Sequence, residues 1–235
     1  MGILGVRPGI KKLEFCILLP NNTNHRMKSK ILLLILSLAS IQAMSQDQFP
    51  AFIKEAQDYY AQKNYQAAQL SLHDAINELN TLLAVQIADA LPKDINGLQA
   101  VQQSSNAAGM GMMGGGMSIE KRYQHPSKKE NSADLTILAN SPMLQAMSMY
   151  LNNPAMMGSG YKSVRVGSQR AILKSEMEDF YDDNGTSKQI RSTELQIPLT
   201  STLITLNMKG FASEQEELAF ANKLGIDKLK AALGE

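Results

Sequence analysis

A glycine- and methionine-rich run, GMGMMGGGM at residues 109–117, separates two parts of this chain that have different hydrophobic periods. Before the run, over residues 52–85, apolar residues recur every three or four positions, which is the period of an α-helix. After it, from Ser118 onward, short segments alternate apolar and polar residues, which is the period of a β-strand. Each glycine disfavours regular helix by about 1 kcal/mol relative to alanine, so the run itself is predicted to be a connector. The chain is therefore expected to be an α+β protein, with an N-terminal helical hairpin followed by an antiparallel sheet covered by helices.

The N-terminus is predicted to be a targeting segment. Met27, Lys28 and Lys30 precede the apolar run ILLLILSLASI at residues 31–41, which is too short to cross the ~30 Å hydrocarbon core of a bilayer. Small residues just before Gln46 suit signal peptidase, so cleavage is expected near Ser45. These features predict a Sec-type signal peptide over about residues 27–45. The protein is then periplasmic or secreted, with no stable membrane span after processing.

Two further expectations concern the leader and what remains after it. Residues 1–26 are expected to be either an over-extended gene start or a long n-region, and Glu14 and Phe15 before Cys16 do not fit a lipoprotein signal. The whole chain has 235 residues with 23 basic and 22 acidic side chains, which does not indicate a nucleic-acid partner. Residues 1–45 hold six basic residues and one acidic residue, so the remainder has 17 and 21, a net charge of −4, and no cysteine. Disulfides and thiol catalysis are excluded for that remainder.

Residues 52–85 are predicted to form two helices with a break around residues 62–64. The segment AQDYYAQKNYQAAQLSLHDAI resembles a single tetratricopeptide unit, whose helix-ending and close-packing positions fall on Tyr59, Tyr60, Ala68, Leu72 and Ala75. It departs from that unit at Lys63, where the motif has glycine, and in lacking a closing proline. Such units usually need about three copies to bury their faces, and no second copy is found. The hairpin is therefore expected to dock on the rest of the chain, or to leave a groove for a partner.

The periodicity divides the chain into a leader (residues 1–45), a helical hairpin (46–90), a Gly/Met-rich linker (91–117) and an α+β domain (118–235). Strands are predicted at residues 118–124, 133–139, 161–166, 170–174, 189–197 and 201–209. Ser141 and Pro142 are expected to begin a helix that ends at residues 152–154. Ser213 and Glu216 have the spacing of a capping box, and a last helix over residues 223–233 is interrupted at Gly225.

The order of these elements resembles PsbP-like domains. The resemblance rests on a Leu-Pro entry followed by a glycine, a strand that ends in Arg-Tyr, and a Val-Gly-x-x-Arg-Ala pattern, whose residues are Arg122, Tyr123, Val166, Gly167, Arg170 and Ala171. These features also look like exported bacterial proteins of unknown function. The resemblance covers about residues 91–233 and carries no catalytic motif, so it implies a fold and an exported location only.

Methionine is the most unusual candidate ligand in the chain. Nine of the 14 methionines are Met110, Met112, Met113, Met117, Met143, Met147, Met149, Met156 and Met157. Thioethers are soft ligands that suit Cu(I), so three of these residues on a glycine-rich loop form a candidate copper site. The same residues also fit an adaptable apolar surface for a protein or lipid partner, or plain core packing next to a flexible linker.

A carboxylate-rich segment and two histidines complete the candidates. The segment offers oxygen donors for calcium at Asp179, Asp182, Asp183 and Asn184, but it lacks the one-in-two ligand spacing that ends in a bidentate glutamate, and a solvated turn is favoured. Glu176 and Glu178 beside Asp179 offer carboxylates for acid/base chemistry, without a neighbour that would separate their pKa values. His73 is expected to be a solvated or core histidine on the second helix, and His125 a solvent-exposed residue in a turn.

No nucleophile-elbow, P-loop, dinucleotide-binding or H-E-x-x-H pattern occurs. Accordingly, no catalytic, cofactor-binding or metal-ligating residue is assigned, and no cofactor is implied. The expected function is that of an exported, non-enzymatic bacterial envelope protein. Its partner is an unknown protein or an apolar ligand, not nucleic acid. The alternative is a periplasmic, methionine-rich copper-binding protein.

Overall fold

Two helices open the part of the chain that the structure describes. The structure is a computed structural model that describes residues 48–110, 115–142, 144, 158–182 and 184–235. Helix α1 (Phe49–Ala61) and helix α2 (Tyr65–Ala90) form a hairpin, and the predicted break at residues 62–64 is confirmed. The side chain of Asn64 accepts a hydrogen bond from the backbone N–H of Ala67, which satisfies a donor in the first turn of α2.

The strands that follow form one antiparallel sheet. Within the described residues they are β1 (Asp94–Ile95), β2 (Leu98–Gly109), β3 (Met117–Gln124), β4 (Ser132–Ala139), β5 (Tyr161–Val166), β6 (Gln169–Tyr181), β7 (Ser187–Pro198) and β8 (Thr202–Lys209). Their order across the sheet is β1-β2-β3-β4-β8-β7-β6-β5. Two helices close the chain, α3 (Glu214–Lys223) and α4 (Ile226–Leu233). The α+β class with a helix pair ahead of an antiparallel sheet is therefore confirmed.

One face of the sheet and the helices share a hydrophobic core. Leu135 of β4 lies opposite Leu206 of β8, which in turn lies opposite Leu195 of β7, so the three side chains point to the same face. The helices contribute to the same buried cluster with Ala84, Ile87, Phe220, Ala221, Ile226 and Leu229. Residues before and after the expected domain boundary at residue 90 therefore contribute to the same core.

The segment expected to be a Gly/Met-rich linker contains two strands. β1 and β2 lie within residues 91–117, and β2 pairs with β3 apart from an irregularity between Val101 and Asn106. The segment is rich in Gln, Ser and Asn, so apolar and polar residues hardly alternate in its sequence. It forms a strand because it pairs with β3. At its end, Gly109 lies so close to α2 that an added Cβ would stand 2.6 Å from the carbonyl oxygen of Asn77.

Helix α2 is held on the sheet by polar contacts as well as by packing. The backbone N–H of Gly109 donates to the hydroxyl of Thr81 over 3.0 Å. Near the other end of the contact, the Lys121 ammonium donates to the carbonyl oxygen of Ala88 over 2.9 Å, where the helix dipole favours a cation. Burial lowers the pKa of Lys121, and the nearby Asp89 opposes that shift.

Strand bounds differ most from expectation at β6. The predicted strand at residues 170–174 runs on to Tyr181, and residues 177–181 pair only with residues 187–191 of β7. The β6–β7 hairpin therefore continues as a two-stranded ribbon beyond the rest of the sheet. Its acidic residues read as a loop in the sequence because neither side of this ribbon presents a regular apolar face.

The predicted cap at Ser213, the break at Gly225 and the end at residue 233 are confirmed, but Lys223 belongs to α3 and the last helix begins at Ile226. The Ser213 hydroxyl accepts from the backbone N–H of Glu216, and the left-handed Gly225, with a φ of +73°, separates α3 from α4. The helix expected from Ser141 onward lies largely outside the described residues; Leu144, which is described, packs against Ile172 and Leu203 on the second face of the sheet. No helix in the described ranges is long and apolar enough to cross a membrane.

Candidate functional site

Helix α2 carries a row of apolar side chains that the fold leaves in solvent. Leu72, Ile76 and Leu79 are 47%, 55% and 46% exposed, and they follow one another at four- and three-residue spacing on one side of the helix. Tyr65 precedes them by one heptad, and Leu83 continues the row into the core cluster. We call these five residues the α2 seam.

Among the described residues, α1 and the sheet cover the seam only in part. The helix has 26 residues, or about 39 Å at 1.5 Å per residue, and the part that joins the core cluster begins only at Leu83 and Ala84. Toward its N-terminus α2 has α1 as its neighbour, and there the buried side chains are small: Ala56, Ala68, Ser71 and Ala75. Ala68 and Ala75 alternate with Leu72 and Leu79 at four- and three-residue spacing, so the side of α2 that packs on α1 borders the seam, and Leu72 and Leu79 stay about half exposed beside it.

Two tyrosines extend the apolar surface to the tip of the hairpin. Tyr60 at the end of α1 and Tyr65 at the start of α2 are 68% and 60% exposed. Their ring centroids are 5.7 Å apart, with the ring planes tilted by 58°. Tyrosine offers a large contact area with few rotatable bonds, which favours contacts with other proteins.

The charges of α2 lie away from the seam. The helix contains no lysine or arginine, and its three acidic residues are Asp74, Glu78 and Asp89. Asp74 and Glu78 are two positions after Leu72 and Ile76, or about 200° around the helix from them. The residues that border the seam on its sheet side, Gln69 and Asn80, are uncharged. An approaching apolar surface therefore meets no charged side chain on the seam itself.

A buried polar cluster lies between β6, β7 and α3. The Glu217 carboxylate is fully buried, and its Oε1 accepts from Arg191 Nε over 2.8 Å and from the Thr193 hydroxyl over 2.6 Å. Ser175 completes the cluster, at 2.7 Å from Arg191 Nη2 and 2.8 Å from the Thr193 hydroxyl. Sequence reasoning missed this cluster, although Glu217 shares the helical spacing of the buried Phe220, Ala221 and Leu224, which was an available signal.

The carboxylates considered for calcium or acid/base chemistry have separate partners. Glu176 pairs with Lys174 over 3.0 Å and Glu178 with Lys209 over 2.6 Å; the hydrogen bond from Lys209 lowers the pKa of Glu178. Asp179 accepts from the side chain of Gln189. Each of these contacts is an exposed or half-exposed link on β6 or between β6 and a neighbouring strand.

The turn between β6 and β7 is closed by a single aspartate. Asp182 Oδ1 accepts from the backbone N–H groups of Asn184 and Thr186, over 2.9 and 2.8 Å. Asp183 lies outside the described residues. Among the residues that the structure describes, no group of three or more His, Cys, Asp or Glu side chains has the arrangement of a metal site.

The two candidate histidines lie far from each other in the sequence and in the fold. His73 is exposed on α2. His125 is half-buried in the β3–β4 turn, where its Nδ1 accepts from the backbone N–H of Ser127 over 3.2 Å. It lines an open cavity of about 320 Å³ together with Gln99, Gln124 and Lys129. The lining is mixed in polarity, since Ala100, Val101 and Pro126 also contribute to it.

The structure describes two of the methionines considered for copper. Met117 is fully buried in the core cluster at the start of β3, so its thioether faces apolar neighbours. Met110 is half-buried at the end of β2. The remaining members, Met112, Met113, Met143, Met147, Met149, Met156 and Met157, lie outside the described residues. The copper-site hypothesis therefore stays a prediction.

Within the described residues, the fold is that of an α+β protein whose helix α2 has a half-exposed apolar face. No family model, curated protein or solved structure matches the chain. The resemblances to tetratricopeptide units and to PsbP-like domains remain predictions.

Proposed function

We propose that this protein is an exported, non-enzymatic envelope protein that acts through protein contacts made by the α2 seam. The observation that carries the proposal is the exposure of Leu72, Ile76 and Leu79 in one continuous row. Single exposed apolar residues are ordinary, but a contiguous row rimmed by polar residues is typical of a protein interface. The partner is expected to present an apolar helix face of its own.

The shape of the surface favours a protein over a small apolar ligand. Small ligands are usually held in concave sites that bury most of their surface. The seam instead lies on the outer side of a helix, and the open cavity beside His125 has Gln99, Gln124 and Lys129 in its lining. A helix face that is apolar at heptad spacing is the usual contact surface for a second helix.

The proposed exported location rests on the leader. The proposed non-enzymatic role rests on the lack of a catalytic motif in the sequence and on the ion pairs that the carboxylates form. Residues 27–45 have the order of a signal peptide. Glu178 is engaged by Lys209 and Glu217 by Arg191, so these carboxylates already serve structural ion pairs.

Site-specific photo-crosslinking in the native host tests the proposal. Benzoylphenylalanine is introduced at Leu72 or Leu79 on the seam, and at Leu70 as a matched control, since Leu70 is 62% exposed on the opposite side of the same helix. We expect discrete protein adducts from the two seam positions and none from position 70. Adducts of equal yield at all three positions, or at none of them, would contradict the proposal.

A further inference from the structure

We propose that Met177 is a site of reversible oxidation by hydroperoxides, and that Arg191 holds the resulting sulfoxide by a hydrogen bond. The site lies on the β6–β7 ribbon and is separate from the α2 seam, so this inference does not depend on the proposed function. Three observations support it: the exposure of Met177, its position opposite Arg191, and the donors that Arg191 has left.

Among the described residues, Met177 is the methionine most open to solvent. It is 61% exposed on β6, whereas Met117 and Met208 are fully buried in the core cluster and Met110 is half-buried. Oxidation of a thioether requires the oxidant to reach the sulfur atom, so the rate follows exposure. A peroxide therefore reaches Met177 in the folded protein, but reaches Met117 and Met208 only when the core opens.

Met177 stands directly opposite Arg191 in the ribbon. The two residues are paired across β6 and β7, and side chains paired in this way lie on the same face with Cβ atoms about 4.5–5.5 Å apart. Arg191 donates from Nε to Glu217 and from Nη2 to Ser175. Within the part of the chain that the structure describes, its Nη1 makes no hydrogen bond. The N–H groups of Nη1 are therefore available to an acceptor on the neighbouring side chain.

Oxidation supplies that acceptor. The Met177 sulfur attacks one oxygen of the hydroperoxide, and an S–O bond forms as the O–O bond breaks. The proton of the attacked oxygen passes to the other oxygen, which leaves as water or an alcohol. Sulfur loses two electrons and the peroxide gains them. The sulfoxide oxygen is polar, whereas a thioether is only a weak acceptor, so the oxidised side chain can accept from Arg191 Nη1.

This arrangement predicts an oxidation that the fold tolerates. A sulfoxide in a core disrupts packing, because it replaces an apolar side chain with a polar one. At Met177 the new oxygen lies in solvent and beside a cation, while Arg191 Nε keeps its contact with Glu217 in the buried polar cluster. Met177 can thus consume oxidant and be restored by methionine sulfoxide reductase.

Peptide-resolved mass spectrometry of the full chain tests the site. Trypsin places Met177 in residues 175–188 and Met208 in residues 192–209, each as the only methionine of its peptide. In the folded protein, limiting hydrogen peroxide is expected to oxidise Met177 at least ~20-fold faster than Met208, and in denaturing urea the two rates should agree within about twofold. A ratio below about threefold in the folded protein would overturn the site.

Urea unfolding before and after peroxide treatment tests the contact with Arg191. Met177→Leu is the matched control, because it keeps every other methionine but forms no sulfoxide at position 177. Relative to this control, treatment is expected to leave the unfolding equilibrium constant of the wild-type chain unchanged or lower.

The same comparison is then made in an Arg191→Lys background, which removes the guanidinium donors but keeps a cation beside Glu217. There, treatment is expected to raise the unfolding equilibrium constant at least about threefold relative to the Leu control, because the sulfoxide has lost its donor. A similar change in both backgrounds, or a tenfold rise in the wild-type background, would overturn the role of Arg191.

Discussion

Arg191 donates from its Nε to Oε1 of Glu217 over 2.8 Å, and this contact joins strand β7 to a fully buried carboxylate of helix α3. The single hydroxyl proton of Thr193 also goes to Oε1, so the Ser175 hydroxyl donates to Thr193 and accepts from Arg191. The four side chains therefore form a closed ring of hydrogen bonds. Within the described residues, Glu217 Oε2 has no hydrogen-bond partner.

Removing the carboxylate is expected to be costly. Glu217→Ala removes the buried carboxylate that Arg191 Nε and the Thr193 hydroxyl donate to, and we expect a loss of about 2–4 kcal/mol in the free energy of unfolding. Glu217→Gln keeps an acceptor for Arg191 and Thr193, so its cost is expected to be about 1 kcal/mol. Urea unfolding of the two variants measures the difference, with the exposed Glu216→Gln as control. Equal losses for Ala and Gln at position 217 would mean that keeping a neutral acceptor there contributes little.

A glycine is expected to stabilise the tip of the hairpin. Lys63 has a left-handed φ of +60°, which costs a residue with a Cβ about 1–2 kcal/mol. Glycine removes this cost but also increases the conformational entropy of the unfolded chain, which offsets part of the stabilisation. Lys63→Gly should therefore raise the free energy of unfolding by roughly 0.5–1 kcal/mol. The neighbouring Gln62 has a φ of −80°, so Gln62→Gly should lower it instead. Thermal unfolding of the two variants should show shifts of opposite sign.

Alkaline pH is expected to destabilise the fold through Tyr123. Its hydroxyl donates to the carbonyl oxygen of Pro92 over 2.9 Å, and burial raises the pKa of the phenol. Above pH ~10 the unfolded chain loses this proton while the folded chain retains it, so stability falls as pH rises by up to ~1.4 kcal/mol per pH unit. Tyr123→Phe should cost about 1 kcal/mol at pH 7. That cost should shrink above pH 10, which urea titrations at pH 7, 10 and 11 would measure. Tyr181→Phe, at a position 65% exposed, should leave the free energy of unfolding unchanged both at pH 7 and above pH 10.

Acid is expected to weaken the turn between β7 and β8. The Glu235 carboxylate accepts from the backbone N–H groups of Thr200 and Ser201, over 2.7 and 3.0 Å. Burial by itself raises the pKa of Glu235, but hydrogen bonds from Ser201 and Thr200 outweigh it and hold that pKa below its usual range.

The stabilisation from Glu235 is present above pH ~4.5 and is lost as the pH falls through its folded-state pKa. Glu235→Gln should therefore cost about 1 kcal/mol at pH 7 and progressively less below pH 4. Urea midpoints across this range measure the change. A cost that stays constant down to pH 2.5 would contradict the assignment.

Export is expected to leave a defined N-terminus. If signal peptidase cleaves after Ser45, the protein recovered from the envelope or medium of the native host begins at Gln46, and cleavage after Ala43 gives Met44 instead. Intact-mass spectrometry distinguishes these products. An unprocessed mass in the cytosolic fraction would contradict the exported location.

The hairpin and the β4, β7 and β8 strands were predictable because their own residues carry the signal. Leu135 and Ile137 alternate with Asp134 and Thr136 in β4, and the break before Tyr65 interrupts a helical period, so local pattern was enough. β2 was not predictable in this way. Its Gln- and Ser-rich segment becomes a strand because β3 offers a pairing edge.

The same distinction between local pattern and tertiary packing applies to the candidate surface on α2. The heptad positions of Leu72, Ile76 and Leu79 are properties of the sequence, because helical geometry places residues three and four apart on one side. The same spacing fits a buried core face equally well, so the pattern alone does not say that these side chains face water. Only the tertiary structure decided that α1 and the sheet leave these side chains about half exposed. It also decided that Glu217, 26 residues after Arg191, reaches it across the β7–α3 contact, since such pairing depends on how separate elements pack and not on local periodicity.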